Sequence, residues 1–235
     1  MRTLTKKAIA EFVGTFVLVF IACGTAGITR GSVVPTSLAF GLTIVAMAYS
    51  VGRISGCHIN PAVSLGCLLT KRMTAKEFGI YVISQILGGL MGSMLVFGIM
   101  KMANIQFIGD ACNYAIQFDA QGLTVGGVVG ALMVEIVLTC VFVYTILNVT
   151  DSKANSSRIA GVVIGLTLTL VHILGINFTG TSVNPARSIA TALSALIYNG
   201  TTDAIAQVWI FIVAPLIGAV VASILYIVLH TNEEE

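Results

Sequence analysis

The tripeptide Asn-Pro-Ala occurs twice in this chain, at Asn60, Pro61, Ala62 and again 124 residues later at Asn184, Pro185, Ala186. The interval belongs to more than the tripeptides. At the same offset Glu11 in AEFVGT meets Glu135 in VEIVLT, Gly41-Leu42-Thr43 meets Gly165-Leu166-Thr167, Gly56 meets Gly180, and Ser64 meets Ser188. Six inserted residues then bring YVISQILGGLMGS onto FIVAPLIGAVVAS, so that Gly88 meets Gly218 and Ser93 meets Ser223. The chain is a tandem duplication, with one copy in about residues 1–115 and the other in about 120–235, and residues 1–235 form one domain.

What each copy contains fixes how the two can be related. Apolar runs long enough to cross a hydrocarbon core, which takes about 20 helical residues, cover roughly residues 8–29, 34–52, 78–100, 124–148, 159–176 and 205–229. Composition agrees: 57% of the residues are hydrophobic and 9% charged, against about 25% charged in a soluble domain. Two shorter apolar pieces, residues 61–70 and 185–197, cannot span and are predicted to be re-entrant half-helices. Each copy thus holds three crossings, and an odd number turns the second copy upside down. The expectation is an all-α membrane protein of six transmembrane helices plus two re-entrant half-helices, an inverted tandem repeat in which the half-helix N-termini meet near the midplane.

The residue types suit that meeting point. Proline is favoured at the first helical position, where its missing N–H is no loss, and asparagine is a preferred N-cap. Asn60 and Asn184 can cap with their oxygens while their amide NH2 groups point inward, and Ala62 and Ala186 allow close approach. The irregular backbone before each triplet must be buried in protein or line an aqueous cavity. Glu11 and Glu135 are expected to brace these loops as acceptors for loop N–H groups; a proton-relay role is the alternative. His58 is expected to pack or hydrogen-bond locally. Gly88 and Gly92, Gly126 and Gly130, and Gly161 and Gly165 allow close helix approach. A cation at bilayer depth marks a pathway by default, which singles out Arg187.

Charge gives the orientation. Arg2, Lys6, Lys7, Arg53, Lys71, Arg72, Lys76, Lys153 and Arg158 fall on one side, with Arg30 and Lys101 on the other, so both termini are predicted to be cytoplasmic. Lys6 and Lys7 followed by an apolar stretch ending FIAC at Cys23 resemble a signal peptide, but Glu11 and the duplication make the segment a permanent helix. The five cysteines, Cys23, Cys57, Cys67, Cys112 and Cys140, have no metal-site spacing and imply neither a disulfide framework nor a metal. Cys112 is expected in a polar external loop, open to an intermolecular bridge. DSKANSSR, GDACNY and the closing TNEEE read as solvated loops and tail. No hydrolase constellation or nucleotide-binding loop is present, which argues against an enzyme, a cofactor or a nucleic-acid partner.

Two Asn-Pro-Ala motifs, six spans and the string SVNPARS resemble the aquaporin, or major intrinsic protein, family over nearly the whole chain. The resemblance implies a selectivity filter of Phe40, His172, Thr181 and Arg187, the pattern of the family's bacterial water channels; its glycerol-conducting members generally have glycine in place of the histidine and aspartate after the arginine, where this chain has Ser188. It also implies a homotetramer in the cell membrane, with water as permeant and lipid as surroundings. One departure is that water-selective members often carry two adjacent aromatics before the last-helix proline, where Phe211 is here followed by Ile212 and Pro215. The duplication places Cys57 where the second copy has Thr181, so Cys57 is expected near the pore as a mercurial site. The expected function is passive water conduction that excludes protons and ions. The alternatives are a broader neutral-solute channel for glycerol, ammonia or hydrogen peroxide, a proton-coupled secondary transporter using Glu11, Glu135 and His172, and a structural protein with a vestigial pore.

Overall fold

A computed structural model describes residues 3–105, 111–115, 123–151 and 158–230, and the described residues are helical without a strand. In chain order α1 is Thr3–Ile28, α2 Val33–Ser50, α3 Pro61–Leu69, α4 Ala75–Met102, α5 Val125–Val149, α6 Ala160–Thr179, α7 Pro185–Asn199 and α8 Ile210–His230. Short turns at Gly52–Ser55 and Asp203–Gln207 precede the first loop and α8. The six apolar helices α1, α2, α4, α5, α6 and Asp203–His230 have the length and composition to cross a membrane. The half-helices α3 and α7 have neither the length nor the free ends to do so.

The boundaries move where polar chemistry takes over from hydropathy. Helix α1 starts at Thr3 rather than near residue 8, because Lys7 reaches Glu77 at 2.8 Å and carries the helix beyond the apolar run. Glu77 also closes a capping box with Thr74 at the start of α4. Half-helix α7 runs two residues further than the sequence predicts, to Asn199, and Lys101 donates to Tyr198 O at 3.2 Å, a cation at the negative end of that helix. Within α1 a π-helical turn spans Val19–Cys23, which no residue pattern announces.

Packing follows the inverted duplication. Within each copy the first helix lies on the third, α1 on α4 and α5 on α8, while α2 and α6 pair across the centre. Each half-helix also leans on the other copy, α7 against α4 and α3 against α8. The α2–α6 crossing is a backbone contact: a Cβ on Gly41 would stand 2.5 Å from Gly165 O, and one on Gly165 would stand 2.5 Å from Gly41 O. Glycine leaves room for that approach, as in other close membrane crossings. Gly88 in α4 likewise faces the Phe12 carbonyl, and its mate Gly218 faces the Ile136 carbonyl.

The distribution of polarity is that of a membrane protein. Leu42, Leu87, Met133, Leu166, Leu170 and Ile224 are exposed, whereas Glu11, Gln85, Glu135, His172 and Arg187 are almost wholly buried. Water is not the solvent that covers such an exterior; the chain is a multi-pass membrane protein whose polar groups face its own axis.

Candidate functional site

Half-helices α3 and α7 point their N-termini at one another, and their caps interlock. Asn60 Oδ1 accepts from Ala62 N at 2.8 Å and Asn184 Oδ1 from Arg187 N at 3.3 Å. The amides do more than face inward. Asn60 Nδ2 donates to Val183 O at 2.7 Å, and Asn184 Nδ2 donates to Ile59 O at 2.9 Å. Each cap therefore uses one amide N–H to tie its helix to the opposite loop and keeps the second. Pro61, Ala62, Pro185 and Ala186 are buried at the joint.

The loops entering the half-helices have a strained and duplicated backbone. Gly56 (φ 89°) and Gly180 (φ 72°) end the preceding helical segments in the left-handed region. Cys57, Ile59, Thr181 and Val183 also have positive φ, at 53°, 43°, 46° and 45°. For Ile and Val this is a genuine outlier, costing about 1–3 kcal/mol each, and persists only where the surroundings over-determine it. The carboxylates supply that constraint. Glu11 Oε1 accepts from Ser55 Oγ (2.7 Å) and His58 N (3.0 Å), and Oε2 from Ile59 N (2.6 Å) and Gln85 Nε2 (2.7 Å). Glu135 Oε1 accepts from Thr179 Oγ1 (2.6 Å) and Ser182 N (2.8 Å), and Oε2 from Val183 N (2.8 Å).

Phe40, His172 and Arg187 come together beyond the caps, and Thr181 stands in the loop that leads into the half-helix of Arg187. The Phe40 and His172 rings stack with centroids 4.1 Å apart, and Arg187 Cζ lies 5.5 Å from the Phe40 centroid. His172 Nδ1 is 2.9 Å from Leu168 O, which can only accept, so Nδ1 holds the proton and Nε2 of the neutral ring is an acceptor. His172 Nε2, Thr181 Oγ1, Arg187 Nε and Arg187 Nη1 are buried without a hydrogen-bond partner from the protein. An acceptor on His172 and two donors on Arg187 thus remain open beside the Phe40 ring, and the Thr181 hydroxyl remains open on the adjoining loop.

Three cavities adjoin these groups. One of about 200 Å³, on the face that carries Lys6 and Lys7, is lined by Cys57, His58, Val63, Cys67, Arg72 and Ile164 among others. One of about 290 Å³ on the opposite face meets Arg30, Thr36, Cys112, Tyr114 and Gly180. Between them a space of about 10 Å³ touches Phe40, His172, Asn60 and Asn184, room for about one water molecule.

The chain matches the major intrinsic protein family over residues 1–226. It belongs to that family. Among its relatives, an Aquaporin Z of Rhodopseudomonas palustris is 40% identical, covering 96% of this chain and 93% of its own. The Glycerol uptake facilitator protein-like 6 of Lactiplantibacillus plantarum is 38% identical, covering 93% and 95%. Among solved structures, the aquaglyceroporin from Plasmodium falciparum superposes with a TM-score of 0.81 at 26% identity over 95% of each chain. Major intrinsic proteins are passive channels rather than enzymes, and this chain is a membrane channel of that family.

The channel's polar interior holds residues that the sequence did not single out. Gln85 bonds both Glu11 and Ser64 Oγ (3.0 Å), and Tyr81 donates to Ser55 O at 2.7 Å. His58 Nδ1 lies 3.1 Å from Ser64 Oγ and its ring meets Tyr81 edge-on, the local packing expected of it. Cys112 corrects an expectation: it is 3% exposed, with Sγ 3.5 Å from Thr191 O, because its segment folds into the channel mouth instead of standing in solvent. That placement removes the intermolecular bridge. Cys57 is half-buried and lines the cavity on the Lys6 face. Arg2, Lys153, most of DSKANSSR, the start of GDACNY and the closing TNEEE lie outside the described residues.

Proposed function

We propose that this channel conducts water passively, in single file and along osmotic gradients, and excludes glycerol, protons and ions. The observation that carries the reading is the set of unpaired polar atoms on His172 and Arg187 beside Phe40, with that of Thr181 on the adjoining loop. Burying such atoms unpaired costs about 1–3 kcal/mol each, so the site calls for a small partner that both donates and accepts. Water fits: it donates to His172 Nε2 while accepting from Arg187. The carbonyls of the two non-helical loops supply further acceptors along the line, and the second N–H of each Asn amide donates to the water at the midplane. A molecule held by two donors there is turned away from relaying a proton. The half-helix N-termini, each equivalent to about half a positive charge, act with Arg187 against cations.

Glu11 and Glu135 belong to the scaffold in this reading. Their oxygens already accept from the loop donors, which favours a brace over a proton-coupled carrier. The cavity lined by Arg72, on the face that carries Lys6 and Lys76, is the cytoplasmic one, both termini lie in the cytoplasm of a cell-membrane protein, and the exposed apolar faces are shared between lipid and neighbouring copies in a homotetramer.

A broader neutral-solute channel is the second reading, supported by the glycerol facilitator-like relative and by Ile212 after Phe211. Stopped-flow light scattering of proteoliposomes separates them. Sucrose gradients are expected to give fast shrinkage and glycerol gradients no recovery phase. Phe40→Ala combined with His172→Gly removes the stacked pair and admits glycerol; a correctly inserted double variant with unchanged glycerol flux would contradict the assigned filter.

A further inference from the structure

The two pore loops are braced alike by their glutamates but differently behind them. In the first copy Gln85 in α4 holds both Glu11 and the half-helix serine, Ser64. Its counterpart 130 residues on, by the alignment that joins Gly88 to Gly218, is Pro215 in α8, which has no side-chain donor. The second copy's serine, Ser188, is reached from elsewhere. Ser188 Oγ donates to Asn113 Oδ1 at 2.6 Å, and Asn113 Nδ2 donates to Thr179 O at 3.1 Å. Asn113 belongs to the segment 111–115 at the end of the first copy, after α4 and outside both pore loops and both half-helices.

The bonds form a relay with a fixed sense. Since the Ser188 hydroxyl proton goes to Asn113, the Ser182 hydroxyl is the donor in the 2.6 Å contact between Ser182 Oγ and Ser188 Oγ, a proton it shares with Asn184 O at 3.2 Å. Ser182 Oγ in turn accepts from Asn184 N at 3.2 Å. One amide therefore sets the end of α6 at Thr179, the loop residue next to Thr181, and the α7 residue next to Arg187. It is 3% exposed and both its amide atoms are engaged. Its segment is itself anchored, by Tyr114 N to Thr179 O at 3.3 Å and Ala115 N to Gln207 Oε1 at 2.7 Å.

We propose that Asn113 is a positioning residue for the outer filter: through Ser188, Ser182 and Thr179 it fixes the spacing of Thr181 and Arg187 and thereby sets which solutes pass. The inference rests on the filter reading given above. The brace that Pro215 lacks is made good by the segment that follows α4, so the setting of Thr181 and Arg187 is coupled to that segment as well as to the duplicated core.

The test is the ratio of glycerol to water permeability in proteoliposomes, for wild type, Asn113→Ala, Ser188→Ala, the double variant and Gln85→Ala. Asn113→Ala is expected to raise the ratio about fivefold, the factor that one buried hydrogen bond is worth. Ser188→Ala is expected to act in the same direction, and the double variant to exceed neither single one, because both break one relay. Gln85→Ala weakens the inner brace and lowers both fluxes without moving the ratio. If Asn113→Ala does not insert, Ser188→Ala reads the same relay from the half-helix side. An unchanged ratio in the inserted Asn113 or Ser188 variant, additive effects, or an equal shift in Gln85→Ala would overturn the proposal. A wild type that passes glycerol as fast as water would instead overturn water selectivity, leaving the change in ratio between wild type and variant to judge Asn113.

Discussion

Replacing Arg187 by the residue that the duplication itself places at the equivalent position isolates the contribution of charge to the filter. That residue is Val63, buried at 3% in α3, so the half-helix geometry accepts valine there. Arg187 Cζ is 5.5 Å from the Phe40 centroid, and a monovalent cation held beside the guanidinium stands about 5 Å from its charge. With an effective dielectric constant of about 20 the repulsion is about 3 kcal/mol, on the order of a hundredfold in rate. The two half-helix ends, worth about half a charge each, remain, so Arg187→Val lowers the barrier without abolishing it. Proteoliposomes with an entrapped pH-sensitive dye, stepped in pH with the membrane potential clamped by an ionophore, are expected to acidify on the order of a hundredfold faster per inserted channel. Water flux in the same vesicles stays within a few-fold, since valine is smaller than arginine. Wild-type proton flux in a variant that still conducts water would refute the charge argument and move the barrier to the Asn60–Asn184 joint.

Gly41→Ala is expected to destabilise the channel by about 1–3 kcal/mol, the usual cost of overpacking, because its new methyl meets the Gly165 carbonyl on the partner helix; unfolding in a detergent titration measures it, and a midpoint equal to wild type contradicts the crossing. Mercurials are expected to block conduction through Cys57, which lines the inner cavity, and Cys57→Ser to remove that block while Cys67→Ser, buried in the same wall, retains it. Stopped-flow water permeability with and without reagent decides, and full inhibition of the Cys57→Ser channel counts against the assignment.

The parts of this structure that could be read from the sequence are those in which a residue type and its position carry the same message. Six apolar runs, an odd number in each copy, and Asn-Pro at the start of each half-helix lead to the inverted architecture without any knowledge of contacts. Glu11 and Glu135 could be found because a carboxylate inside an apolar run needs donors. What stayed hidden depends on partners far apart in the chain. The amide of Asn60 meets a carbonyl 123 residues away, and Gln85 meets Glu11 across 74; neither pairing leaves a local pattern. Cys112 looked external because GDACNY is polar, yet Asn113 and the Gln207 bond to Ala115 N fold its segment inward. The π-turn at Val19–Cys23 had no signature at all, since VFIAC is an apolar stretch like the rest of the span, with no glycine or proline to mark it.

Function lies where the duplication fails. The shared pairs, Glu11 with Glu135, Asn60 with Asn184, Ile59 with Val183, build two copies of one strained loop. Every proposed filter residue has an unlike mate at the 124-residue offset: Phe40 with Ile164, His172 with Ala48, Thr181 with Cys57, Arg187 with Val63. Three of those mates, Ile164, Cys57 and Val63, line the open cavity of about 200 Å³ on the Lys6 face. The same backbone therefore makes a wide vestibule where its side chains are small and apolar, and a constriction where an aromatic pair, a hydroxyl and a guanidinium replace them. In the proposed reading, solute choice follows from four side chains on the outer side of a symmetric frame. Restoring symmetry on the outer side, by Arg187→Val, is expected to alter permeation while leaving the fold intact, since the half-helix geometry already accepts valine at the equivalent Val63.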